Sequence, residues 1–386
     1  MGIDTRYESA PWSWLEPALW VYGDSEIHLL DRANGMLASM ARAAREGGEA
    51  LLRAKQILHK DGIGAVTAPS NVGGGGQRYA LQIALQFLAG YRDLNLRDAA
   101  HIGHGAILCQ DPAWRNRDEL AGVIAGDLVG IAATEPAGGS NVLNVSTVAV
   151  PVPRGWEITG HKKWISRISE ASAFIVFAQS LDGLSAFYVP KNAEGLRTNL
   201  FLPAGLAAWS WGELLFMSVR VSSAERVGCA DGGVAIFRQH FLEYRPLVAA
   251  TCLGGAAACL DRWAEFVVSR SDGGRVLLGG VMERLGDLRG RVLLAVSGLI
   301  TGAANPTGMN SSWSKAVKAH GVALSLEVAR AATRSMSAES FQSDHPVRRI
   351  LRDLEAFEYA DGAIDPLRRS VGQKFVRNIA MEVSGS

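Results

Sequence analysis

The sequence predicts an α+β chain in three parts: a helical N-terminal domain over residues 1–124, a central β-domain over 125–228, and a C-terminal helical bundle over 229–386. Three observations carry this. Up to about Leu120 apolar residues recur at three- and four-residue steps. At Gly126 they give way to short β-rich runs between turn residues, and after Gly228 the helical period returns and persists.

In the first part, Ile27, Leu30, Ala33, Leu37 and Met40 form one apolar helical face, and Tyr79, Ile83, Leu85 and Leu88 mark a second helix. Between them, Pro69 to Gly76 reads as a flexible turn. Its four glycines lack the Gly-Lys-Ser/Thr ending and the preceding strand that a phosphate loop requires. The central part offers Leu128–Ala133, Val145–Val152, Trp156–Thr159, Ala173–Ala178, Leu184–Val189 and Leu214–Val221 as strands. In the last part, Val234, Phe237, Phe241 and Val248 open a helix. Leu278, Met282, Leu285, Leu288, Val292, Val296 and Leu299 make a sustained stripe, and Val317, Leu324 and Val328 mark another helix. Gly254-Gly255-Ala256-Ala257-Ala258 costs helix propensity but lets a neighbouring helix or a cofactor approach closely.

Composition excludes several classes. The 48% apolar and 20% charged content is that of an ordinary globular protein, and a net charge of +1 gives no footprint for nucleic acid or an anionic membrane. No apolar run reaches the ~18 residues of a membrane span. Met1 to Pro17 mixes charges with tryptophans, unlike a signal peptide. Cys109, Cys229, Cys252 and Cys259 lack CxxC spacing and read as free thiols in a reducing compartment, so the expected location is cytoplasmic.

Two short blocks carry the chemistry: Thr134-Glu135-Pro136-Ala137-Gly138-Gly139-Ser140-Asn141 and Gly160-His161-Lys162-Lys163-Trp164-Ile165-Ser166. Exposed amides and hydroxyls suit the polar edge of a planar heterocycle, and an indole suits its face. Both blocks in this order, the second closing on Trp-Ile-Ser, resemble the flavin-binding signatures of the acyl-CoA dehydrogenase family. The helical–β–helical order is similar to that family's fold over nearly the whole chain, which implies a β-barrel-like central domain and a C-terminal four-helix bundle.

That resemblance implies FAD, and a reaction in which a carboxylate removes the α-proton of an acyl thioester while the β-hydride passes to the flavin. By position, Thr134 and Ser166 would meet the flavin's polar edge, Trp164 would lie by its face, and Ser140 would sit near both flavin and thioester. Arg348-Arg349-Ile350-Leu351-Arg352-Asp353 resembles the family's late Arg-Asp signature. Eight residues on, Asp361-Gly362 stands where most members place Glu-Gly. Asp361 is therefore the expected base, beside the flavin and apolar walls, with Gly362 leaving room for the α-carbon. Its shorter side chain loses roughly an ångström of reach, a distance that can cost ~100-fold.

A subset of the family draws the base from the helix that opens the last domain, just before an arginine. Tyr244 stands there, followed by Arg245, with Glu243 about 100° around the helix as the rival base. Arg270-Ser271-Asp272-Gly273-Gly274 and Ser337-Ala338-Glu339-Ser340 replace the family's motifs for the dinucleotide end of a neighbouring subunit's FAD. Arg270 and Ser337 are the residues expected there, and Glu339 would repel phosphate unless turned away. His101 and His104 read as polar lining of the acyl cavity or satisfied core histidines, with no third ligand for a metal. Such lining suits a short, polar acyl group.

The resemblance thus implies an FAD-dependent dehydrogenase of small or polar acyl thioesters, carried on CoA or an acyl carrier protein. It is closer to secondary-metabolism members, such as those of polyketide biosynthesis, than to fatty-acid enzymes. The electron acceptor would be a protein or O2, and the assembly a homodimer or homotetramer. Two alternatives stay open: a flavin monooxygenase or N-hydroxylase on the same scaffold, and a catalytically silent member acting as a binding partner.

Overall fold

The structure is a computed structural model describing residues 11–138, 144–271, 279–305 and 307–384. Among the described residues nine helices have eight residues or more. Four precede the sheet: α1 (Asp24–Ser39), α2 (Gly48–Lys60), α3 (Tyr79–Arg92) and α4 (Asp118–Ala125). Five follow it: α5 (Gly233–Ser271), α6 (Gly279–Ala304), α7 (Ser311–Ser335), α8 (Pro346–Ala356) and α9 (Ile364–Ser384).

The intervening strands are β1 (Val129–Ala132), β2 (Val148–Val152), β3 (Gly155–Ser166), β4 (Ala173–Ser180), β5 (Gly183–Pro190), β6 (Leu196–Phe201), β7 (Trp211–Ser222) and β8 (Arg226–Val227). They form one sheet in the order β6-β7-β3-β2-β4-β5-β8, with β1 joined in parallel to β4. Strand β3 runs seven residues past the expected Thr159, so the whole Gly160–Ser166 block is strand and ends antiparallel to the start of β7. Register shifts between Lys163 and Ile165, placing Trp164 on a bulge at φ +62°. Strand β6 escaped the sequence reading because it is a mostly exposed edge strand with little apolar alternation.

The long helix α5 joins the two helical regions. Gly254 and Gly90 face each other's helices: a Cβ on Gly254 would stand 2.1 Å from the Phe87 carbonyl oxygen, and one on Gly90 would stand 2.0 Å from that of Thr251. The Gly-Gly-Ala segment therefore serves the close crossing of α3 on α5. On α6, Leu288, Val292, Val296 and Leu299 are buried within the chain, while Met282 and Leu294 remain exposed; Leu278 lies outside the described residues.

Candidate functional site

The two blocks meet where β1 hands over to β3. The Lys163 amide donates to the Thr134 carbonyl at 2.9 Å. Beneath that contact the Glu135 carboxylate accepts from Lys162 Nζ at 2.8 Å, Thr147 Oγ1 at 2.6 Å, and the amides of Thr147 and Ser146 at 2.9 and 2.6 Å. Burial alone would raise the Glu135 carboxyl, but these bonds outweigh it and hold it down to about 2. Burial pushes Lys162 down to about 8 against the pull of Glu135. The pair had no place in the sequence reading. Its signal was a lysine on the inward, even positions of β3, two residues from Gly160 and four from the buried Ile158.

Above this bridge the bulge turns Trp164 outward, 58% exposed, edge-on to Phe201 at 5.2 Å and with Lys163 Nζ 5.3 Å from its ring. Core packing is therefore not its role. Thr134 and Ser166 are half-buried nearby. Ser140 lies outside the described residues.

The chain then folds inward. Arg167 takes φ +66° and is buried, with its guanidinium donating to Ser166 Oγ and to Asp98 Oδ2. Arg97 Nε lies 3.6 Å from the same Asp98 oxygen, and Arg97 Nη1 donates to Asp361 Oδ2 at 3.2 Å. The Asp361 side chain is 10% exposed. One network of charges thus runs from Ser166 at the end of β3 to Asp361 in the loop before α9. The expectation that Asp361 faces apolar walls is corrected here: it faces a guanidinium. Burial would raise the Asp98 carboxyl, but Arg167 and Arg97 draw it down to about 2. Burial works against the Arg97 charge, and Asp98, Tyr244 and Asp361 around it keep it protonated.

Several expected residues collect around this network. Tyr244 is buried and donates its hydroxyl to Asp98 Oδ1 at 3.3 Å. Its ring packs 4.6 Å from that of His104 and 5.0 Å from that of His240, four residues back on the same face of α5. His104 Nδ1 and His240 Nε2 are 2.9 Å apart, and His101 Nδ1 accepts from the Gly103 amide at 3.0 Å. Burial, with nearby cations, pushes His101 and His240 down to about 3 and His104 well below its usual value, so all three are neutral at pH 7. Among the described residues no group of three His, Cys, Asp or Glu is arranged to hold a metal. Arg245 Nε donates to the Asp361 carbonyl at 3.1 Å, and Gly362 follows at φ +105° with its own carbonyl accepting from buried Lys318.

Glu243 is elsewhere. Its carboxylate accepts from Gln239 at 2.5 Å, its carbonyl accepts from the Tyr79 hydroxyl, and it touches none of the network. Arg270 and Ser337 are also apart from it. Arg270 stacks 4.9 Å from Phe266 and pairs at 4.0 Å with Glu339, two residues beyond exposed Ser337. At 1.5 Å per residue Arg270 stands roughly 39 Å along α5 from Tyr244. Arg97, Asp98, Arg167 and His240 were missed by the sequence reading. Charged residues inside apolar runs, such as Arg97-Asp98 after Leu94 and Leu96, were the available signal.

Comparisons with known proteins agree with this fold. The profile described as the acyl-CoA dehydrogenase middle domain matches residues 130–219, and that described as the acyl-CoA dehydrogenase C-terminal domain matches 231–375. An L-prolyl-[peptidyl-carrier protein] dehydrogenase of Serratia sp. is 28% identical over 239 residues. That alignment spans 57% of this chain and 61% of the relative, less than two thirds of its length. Among solved structures, the prolyl acyl carrier protein oxidase AnaB superposes with a TM-score of 0.84 at 19% identity, covering 92% of this chain and 99% of that one. The FAD complex of PigA does so at 0.83 and 18%, covering 92% and 98%.

Proposed function

This chain belongs to the acyl-CoA dehydrogenase family, and we propose that it is a flavin-dependent oxidoreductase that α,β-dehydrogenates a small or polar acyl thioester carried on CoA or an acyl carrier protein. The observation that carries this is the buried run Asp361–Arg97–Asp98–Arg167–Ser166, which joins a carboxylate from the last domain to the polar end of β3.

The residues present fit FAD at its ring end. Trp164 offers an indole that its own chain leaves 58% exposed. Thr134 and Ser166 offer hydroxyls on adjoining segments. Because Ser166 Oγ accepts from Arg167, its own proton is free to be donated outward to a ring acceptor. FAD, when bound, supplies the hydride acceptor. Asp361 takes the α-proton on Oδ1 while Arg97 holds Oδ2, so the carboxylate presents one fixed oxygen. Tyr244, His104 and His240 are buried together beside this network, and Tyr244 bonds Asp98, which supports a small or polar acyl group in the proposed reading.

Arg270, roughly 39 Å along α5 from Tyr244, and Ser337, two residues before its partner Glu339, would serve the dinucleotide end of a neighbouring subunit's FAD. The proposal therefore includes a homodimer or homotetramer. A cytoplasmic location is supported by free cysteines at positions 109, 229, 252 and 259. The relatives' names support a carrier-bound substrate, and a structural neighbour titled as an electron transferring flavoprotein supports a protein as electron acceptor, with O2 as the alternative.

Anaerobic titration of the flavoprotein with acyl-CoA and acyl-carrier thioesters tests the reading. Asp361→Asn should keep its flavin and bleach roughly 10²–10⁴-fold more slowly, whereas Glu243→Gln should change little. Wild-type bleaching rates in Asp361→Asn would refute the base assignment. A stable flavin–oxygen adduct without enoyl product would instead establish a monooxygenase.

A further inference from the structure

We propose that α5, α7 and α9 form a basic surface, beside the Asp361 loop, on which the acidic face of a carrier protein docks. The acyl thioester then arrives on a carrier and not on free CoA; this rests on the dehydrogenase reading above. Helix α7 packs against both α5 and α9, and Lys315 Nζ on α7 donates to Ser370 Oγ on α9 at 2.8 Å. Lys374 and Arg377 follow Ser370 by four and seven residues and so share its face of α9, as Arg238 and Arg245, seven apart, share one face of α5. Burial pushes the Lys315 ammonium down, and the charges of Arg245, Lys374 and Arg238 push it the same way, so cations from three helices gather around it. Two bonds tie this surface to the loop before α9. Arg245 Nε donates to the Asp361 carbonyl at 3.1 Å, and Lys318, one turn on from Lys315, donates to that of Gly362. The same loop reaches solvent at exposed Tyr359.

The chain does not neutralise this charge itself. Among the described residues none of Arg238, Lys315, Lys374 and Arg377 pairs with a carboxylate. The nearby carboxyl groups are engaged elsewhere. That of Asp361 faces Arg97, Glu358 acts on Lys318, and Glu243 is bonded to Gln239 and raised by burial, which favours its neutral form. On a chain of net charge +1 the excess is local, and it waits for anions from outside. Size and composition point to a protein as their source. Seven residues of helix are roughly 10 Å and neighbouring helices lie about 8–10 Å apart, so the surface is roughly 20 Å across. Phe375 and Val376 of α9, 67% and 66% exposed, flank Lys374, and exposed Ile379 follows Arg377. Cations beside uncovered aromatic and aliphatic side chains suit a protein interface, whereas the phosphates of a nucleotide have no use for the apolar part. Carboxylates around a carrier's phosphodiester-linked arm would meet the cations and steer that arm toward the Asp361 loop.

The test uses the FAD-loaded enzyme and two acidic probes, a type II acyl carrier protein and a peptidyl carrier protein. Each carries the acyl group that bleaches best as its CoA thioester, and the same group is supplied on CoA and on uncharged N-acetylcysteamine. Binding of the unacylated holo-carriers is read by fluorescence polarisation, and reduction by anaerobic flavin absorbance. At least one carrier should bind, more weakly as salt rises from about 50 to about 300 mM, and its thioester should exceed the CoA thioester in kcat/KM at least about tenfold. Arg238→Glu/Lys374→Glu/Arg377→Glu should lower kcat/KM for the carrier thioester at least about tenfold, as like charges across an interface do, and leave the N-acetylcysteamine thioester unchanged. An equal loss with the CoA thioester would make the surface a nucleotide-phosphate site and overturn the proposal. Full carrier binding by the triple variant, or no binding of either carrier by the wild type, would overturn it too. Bleaching by the CoA thioester as fast as by the carrier thioesters, untouched by the triple variant, would sink this inference and leave the dehydrogenase reading standing. Salt-sensitive carrier binding that the triple variant loses, with no bleaching by any thioester, would do the reverse.

Discussion

The Glu135–Lys162 bridge makes the sharpest stability prediction. Lys162 is fully buried and Glu135 nearly so, and their contact underlies the hydrogen bond that ties Thr134 to Lys163. Glu135→Gln keeps the shape and removes the charge. One amide oxygen can still accept from Lys162 or Thr147, but the amide nitrogen would then face the Ser146 N–H, donor against donor, where the carboxylate now accepts at 2.6 Å. Removing one partner of a buried pair costs about 3–5 kcal/mol because the other charge stays uncompensated. For a chain of this size that lowers the melting temperature by roughly 4–6 °C. Thermal unfolding followed by circular dichroism measures the loss, and flavin absorbance after purification reports the Thr134 edge, which should lose flavin affinity. In Glu135→Gln/Lys162→Met both charges are gone, so most of the lost stability should return. A single-variant cost under ~1 kcal/mol, or a double variant no better than the single, would refute the reasoning.

Burial pushes Lys55 down to about 7, against the pull of Asp98, so between pH 7 and 10.5 the unfolded chain binds more protons at this residue than the folded one. Lys55 therefore costs most stability below pH 7, and the cost fades as pH rises toward 10.5. Urea denaturation from pH 7 to 9 should show wild type gaining on Lys55→Met by about 1.4 kcal/mol per pH unit, and parallel curves would contradict this. For assembly, light scattering at micromolar concentration should give a mass of two or four chains; a mass of 41.2 kDa would end the shared-flavin arrangement.

How much of this was legible in the sequence depended on whether the governing interaction was local. The order of helical and β regions was readable, because hydrophobic period is a property of neighbouring residues: the buried Leu288, Val292, Val296 and Leu299 stripe announces α6 on its own. Thr134, Trp164 and Ser166 could be named as candidates because each sits in a short motif. The partners of those residues were not. Asp361 and Arg97 are 264 residues apart in sequence, and His104 and His240 are 136 apart. Nothing in either segment encodes the other's charge: the crossing of α5 past the segment after α3 brings His240 to His104, and the packing of the loop before α9 brings Asp361 to Arg97. Glu243 and Tyr244 show the finer limit. Adjacent in sequence, they point about 100° apart on α5, so one faces the charged network and the other faces Gln239.

The buried network also bears on why so costly an arrangement occupies this place. Two arginines and two aspartates, each side chain 10% exposed or less, gain little net stability, because desolvation offsets most of their attraction and an apolar quartet of similar volume would hold the fold as well. The surrounding walls could have been apolar: Leu94, Leu206, Trp209 and Trp211 already line the same crevice. Stability therefore does not account for the charges, and neither does proton abstraction alone, which requires one carboxylate. Holding that one carboxylate does, under the reading proposed above: Asp98 accepts from Arg167 and from Tyr244 and lies beside Arg97, and Arg97 donates to Asp361 Oδ2, so the quartet gives the Asp361 carboxylate a fixed partner at the end of the buried run.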